Sequence, residues 1–126
     1  GDAGYLWLLL HLFSISKNQY YLQLANVTAK KLIENYDTLE EIDFALGKSG
    51  VLLSLIKYYQ FTNDNTLKTF IHNSIWGNLS LFRTTHTYEY QYSLLFGDAG
   101  YLLVMQAIYG YSYIYFLSVK INTIYN

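Results

Sequence analysis

With 126 residues the chain has the length of about one domain; 52% of it is hydrophobic, 19% aromatic and only 13% charged, about half the usual charged share. A net charge of −1 without any basic block argues against a phosphate-tracking surface, so nucleic acid is not an expected partner. The absence of cysteine excludes disulfides, thiol nucleophiles and cysteine-containing zinc sites within the chain and fits a reducing, cytoplasmic setting, while the absence of proline suits a chain built mostly of helices.

The chain opens on Gly1-Asp2-Ala3-Gly4-Tyr5-Leu6, without an initiator methionine or a basic leader, which points to a piece of a longer protein starting at a repeat boundary. Residues 4–16 are apolar nearly all round (Tyr5, Leu6, Trp7, Leu8, Leu9, Leu10, Leu12, Phe13), and a helix without a polar face is expected to be buried on every side. It is too short to cross a bilayer. After a turn at Ser16-Lys17-Asn18-Gln19, residues 19–36 follow a 3.6 period: Tyr21, Leu22, Leu24, Ala25, Thr28, Ala29, Leu32 and Ile33 on one face, Gln23, Asn26, Lys30, Lys31 and Glu34 between them. That is an amphipathic helix. Asn35 to Asp43 reads as a polar, acidic connection, with Glu40, Glu41 and Asp43 as a solvated patch.

The alternation then repeats. Val51 to Phe61 predicts a second apolar helix, Thr62-Asn63-Asp64-Asn65 a turn, and residues 66–76 a second amphipathic helix that Gly77 would end as a left-handed residue beyond its C-terminus. Residues 78–92 predict a long polar and aromatic loop, a length uncommon without a function. A third apolar helix is expected from Ala99 to Tyr109, and a Tyr/Ile-rich partner from 111 to 125. The stretch between Asp98 and Lys120 carries no formal charge, but Gly110, Gln106, Ser112, Ser118 and four tyrosines make a poor hydrocarbon-facing surface, so a membrane span is the weaker reading there.

One hexapeptide organises this pattern. Gly1-Asp2-Ala3-Gly4-Tyr5-Leu6 returns letter for letter as Gly97-Asp98-Ala99-Gly100-Tyr101-Leu102, with a relaxed copy, Gly47-Lys48-Ser49-Gly50-Val51-Leu52, between them. The offsets of 46 and 50 residues signal stacked supersecondary units. Buried and amphipathic helices alternating three times predict an all-α fold in which inner helices face one another and outer helices cover them. Glycine at an inner-helix start would allow positive φ and a close approach to a neighbour. Small-residue helix packing would explain the glycines equally well.

The three G-x-x-G units, each followed by an apolar run, together with Tyr21-Leu22-Gln23-Leu24-Ala25, resemble the lanthionine synthetase C-like (LanC-like) cyclases over roughly residues 1–110. The resemblance implies an α/α toroid of seven inner and seven outer helices, of which about three hairpins would be present in the single segment 1–126. It implies thioether formation, in which a peptide cysteine thiolate adds to a dehydroalanine or dehydrobutyrine. Its zinc-dependent members place a Cys-His pair directly before a motif glycine; Ala45-Leu46 and Leu95-Phe96 stand there in this sequence, and neither pair ligates zinc. The expectation is a segment outside the zinc-bearing repeats or a zinc-less relative, like the cyclase domains of class III lanthipeptide synthetases, with no cofactor in this chain and a peptide or the remainder of the toroid as partner. Alone it would be inactive.

Candidate chemistry is sparse. His11, in Leu9-Leu10-His11-Leu12, reads first as a hydrogen-bonded core histidine and second as an acid or base; His72 reads as a surface residue. His86, with Arg83 and Glu89, forms a dense ionisable group near a motif, able to hold a peptide or move a proton. Three histidines without i, i+4 spacing make a poor metal site. Asp2 and Asp98 read as helix-start caps before they read as bases, and the many tyrosines as packing before a peptide-binding wall. Two rival classes stand beside the cyclase: a non-catalytic α-helical repeat scaffold that binds a peptide, and a membrane-associated helical protein.

Overall fold

Five helices account for most of the residues that the computed structural model describes, which are 1–40, 47–77 and 98–109: α1 (Asp2–Ser16), α2 (Gln19–Glu34), α3 (Lys48–Thr62), α4 (Asn65–Gly77) and α5 (Asp98–Tyr109). No strand occurs among them. The long loop 78–92, the expected helix 111–125, and Arg83, His86 and Glu89 lie outside the described residues.

Each hairpin closes through a two-residue link that the sequence writes twice. Lys17 (φ 58°) and Asn63 (φ 50°) take the left-handed conformation directly after α1 and α3, and their amides donate to the carbonyls of Phe13 and Tyr59 at 2.8 Å. The next residue starts the outer helix: the carboxamide oxygen of Asn18 accepts from the Tyr20 amide at 3.0 Å, and the carboxylate of Asp64 from the Thr66 amide at 2.8 Å. The expected left-handed glycine is therefore misplaced. Gly77 is the last residue of α4, and the left-handed positions are Lys17 and Asn63.

The inner helices α1, α3 and α5 lie side by side, with α3 in the middle; α2 packs on α1 and α3, and α4 on α3. One core runs through all five. Leu6 and Leu10 of α1, Leu52 and Leu55 of α3, Ile71 and Ile75 of α4, and Val104 and Met105 of α5 are fully buried, and α2 adds Ala25 and Ala29. Small residues on α2 let it approach closely, which its amphipathic pattern anticipates.

Two expectations need correction. α1 is not buried all round, because among the described residues α3 is its one inner neighbour: Tyr5, Trp7, Leu8 and Ile15 are exposed, and so is His11, which is no core histidine. The polar connection after α2 is also less open than its composition suggests. Tyr36 begins a single 3₁₀ turn (Tyr36–Thr38), is buried, and meets Phe70 of α4 edge-on with ring centroids 5.4 Å apart. No helix among the described residues is long and apolar enough to cross a membrane.

Candidate functional site

The N-terminal ends of α1 and α3 open on a shared cleft of about 310 Å³, whose far wall is the C-terminal turn of α2 and Leu39. Gly1, Gly47 and Gly50 line it, so the repeated motif forms its rim. A side chain built at Gly1 or Gly4 would meet nothing within 4 Å, and Gly47 is extended (φ −115°, ψ −162°). The expectation of close approach fails at Gly1 and Gly4, and that of positive φ fails at Gly47. Open space, rather than helix contact, faces the two glycines of the first motif.

Polar groups stand around this cleft in an ordered way. Asp2, expected as a cap, makes no cap hydrogen bond; its carboxylate instead pairs with the Lys31 ammonium of α2 at 2.8 Å. Both partners are well exposed, so the pair fixes an orientation more than it stabilises the fold. Asn35 contributes a carboxamide to the wall. Lys48, at the start of α3, places its ammonium 5.2 Å from the ring centre of Tyr36. Beneath the rim, the buried Ser54 hydroxyl of α3 donates across to the carbonyl of Ala3 on α1. Farther along α3, Tyr58 donates to the Asn26 carboxamide oxygen of α2, and burial, reinforced by the Asp64 carboxylate, pushes its phenol above the usual range.

The other sequence candidates are scattered. His72 is exposed on α4 as expected, its ring 6.2 Å from that of Trp76, and Asp98 is the first residue of α5. Glu40 is exposed, whereas Glu41 and Asp43 lie outside the described residues. No three His, Cys, Asp or Glu side chains come together as a metal-holding group among the described residues. The cleft itself was not foreseen. Its signal was the pairing of Asp2 with Lys31, which no helical period links.

The family model for lanthionine synthetase C-like protein matches residues 1–126, the whole chain. The chain belongs to the lanthionine synthetase C-like family. Neither a curated protein nor a solved structure matches it. The LanC-like fold is an α/α toroid, and the hairpins α1–α2 and α3–α4 with the inner helix α5 form an arc of that ring. Among the described residues no cluster matches the donor set of the zinc-dependent LanC-like proteins. There is no cysteine to supply thiolates, Leu46 and Phe96 stand before the motif glycines, and the described His, Asp and Glu do not converge.

Proposed function

We propose that this LanC-like chain is a segment of a cytoplasmic peptide-modifying cyclase, in which it holds the peptide while a thioether ring closes. The observation that carries this reading is the family match along all 126 residues. The cleft at the G-x-x-G rim adds a place for peptide groups: an apolar floor from Ala3, Leu32 and Val51, the Asn35 carboxamide to exchange hydrogen bonds with a peptide amide, and the Asp2–Lys31 pair to align charged ends. In the reaction the peptide thiolate sulfur adds to the β-carbon of dehydroalanine or dehydrobutyrine, and a proton is delivered to the α-carbon. No atom leaves, so the product has the mass of the reactant. In this reading His86, flanked by Arg83 and Glu89, moves the proton within the complete ring.

A dehydrated, cysteine-containing peptide tests the proposal. The expected result is saturable binding that weakens with Asn35→Ala, without consumption of thiol by this chain alone. Because cyclisation does not change mass, the readout for chemistry is loss of alkylatable thiol. A folded chain that does not bind the peptide overturns the reading. Equal binding of the undehydrated peptide favours the non-catalytic scaffold instead.

A further inference from the structure

Lys57 of α3 places its ammonium 5.5 Å from the ring centre of Trp7 on α1, so this contact joins two neighbouring hairpins. The outer helices α2 and α4 cover α3 from behind, and α1 and α5 flank it. The side of α3 left over, marked by half-buried Leu53 and Lys57 and by exposed Gln60, faces the inside of the arc. The 46-residue offset puts Trp7, His11 and Ser14 of α1 at the same three positions, and all three are exposed. His11 is thus the counterpart of Lys57, side by side with it on packed helices whose axes lie about 8–10 Å apart. On α5 the corresponding residues are Leu103 and Ala107, which add no charge.

Nothing negative answers the ammonium. α3 carries neither Asp nor Glu. On α1 and α5 the acidic residues are Asp2 and Asp98, at one position of the repeat, and Asp2 turns outward to Lys31 of α2. Among the described residues no carboxylate pairs with Lys57. The Trp7 ring holds the ammonium from one side, and three N–H donors leave room for an anion on the other. A half-buried cation in a concave wall focuses a positive potential.

We propose that Lys57 and His11 form a carboxylate site on the inner face of the ring, walled by Trp7, which takes an acidic segment of the peptide. The Lys57 ammonium and a His11 ring N–H donate to the carboxylate oxygens, while the indole covers the aliphatic part of the acidic side chain. The site rests on the reading of this chain as a peptide holder and adds the charge of the segment held. It is separate from the cleft at the motif rim, because Lys57 lies about two turns beyond Gly50.

Titration calorimetry of the full chain with end-capped hexaglutamate, and with hexaglutamine as its uncharged match, tests the site. Hexaglutamate should bind saturably and hexaglutamine should not. Lys57→Gln should weaken binding roughly tenfold or more, the loss of one charge-assisted hydrogen bond. Lys57→Arg should retain it, and His11→Ala should weaken it less than Lys57→Gln does. Circular dichroism verifies that the variants are folded, and Lys57→Met, which keeps the packed stem, replaces Lys57→Gln if that variant is not. Equal binding of the two peptides, absence of binding, or an affinity unchanged in the folded Lys57 variant overturns the proposal. Hexaglutamate contains neither cysteine nor a dehydrated residue, so its binding is read apart from cyclisation. A chain that binds it through Lys57 but ignores the dehydrated peptide refutes the cyclase reading and leaves this site standing.

Discussion

The Ser54 hydroxyl on α3 stands 2.9 Å from the carbonyl oxygen of Ala3 on α1 and 3.1 Å from that of Gly50, one turn back on its own helix. A single hydroxyl proton is shared between the two acceptors, and the short side chain lets the inner helices come close. Ser54→Ala should lower stability by about 0.5–1.5 kcal/mol, the net value of one such hydrogen bond. Ser54→Leu, which copies the residue at the equivalent position 8, should cost about 1–3 kcal/mol through overpacking. Urea unfolding midpoints of the two variants rank these effects.

The motif glycines should behave differently from one another. Gly4 is helical, exposed and surrounded by open space, so Gly4→Ala should stabilise by about 0.5–1 kcal/mol through helix propensity alone. Gly100 is helical and buried, so Gly100→Val should lose about 1–3 kcal/mol to overpacking, without any contribution from positive φ. Equal midpoints for Gly100→Val and wild type would show that the third motif is as open as the first.

Lys17 pays the usual penalty of a bulky residue in the left-handed region. Lys17→Gly relieves roughly 1–2 kcal/mol of strain, partly offset by the freer unfolded chain, and should raise stability by up to about 1 kcal/mol. Asn63→Gly should gain less, because asparagine tolerates this conformation. A thermal melt of each single variant checks the order.

The phenol of Tyr58 is raised by burial first and by Asp64 second. Its neutral form is favoured in the folded state, so its contribution is intact below the unfolded value of about 10 and is lost as pH rises through the folded value. Stability should therefore fall in the alkaline range above about pH 10, and Tyr58→Phe should flatten that part of the profile. Denaturation followed across neutral and alkaline pH measures the slope, and an unchanged slope would disprove the assignment to Tyr58.

The helices were legible because period and composition agree: Leu52 and Leu55 sit in an apolar run, and Leu67, Ile71 and Ile75 recur every four residues, so both core and partner were readable. The turns were only half legible. Thr62-Asn63-Asp64-Asn65 marks a break, but that Asn63 rather than Gly77 would be left-handed depends on where α3 runs out of partners. Tyr36 was hidden in a polar stretch because its burial is decided by Phe70, thirty-four residues away. The cleft was hidden for the same reason: Asp2 and Lys31 meet only after α1 and α2 fold back on each other.

The central place of α3, which packs on α1, α2, α4 and α5, has a consequence for opening motions. An end helix can detach while the rest stays folded, whereas releasing α3 separates the α1–α2 hairpin from α4 and α5 and breaks the main contacts between them. Amide protons at Leu52, Leu55 and Ile56 should therefore exchange with solvent only through complete unfolding, while those in the last turn of α1, near the exposed Ile15, exchange through local fraying. The slowest amides thus belong to the helix with the plainest version of the repeat, not to either end that carries the perfect copy.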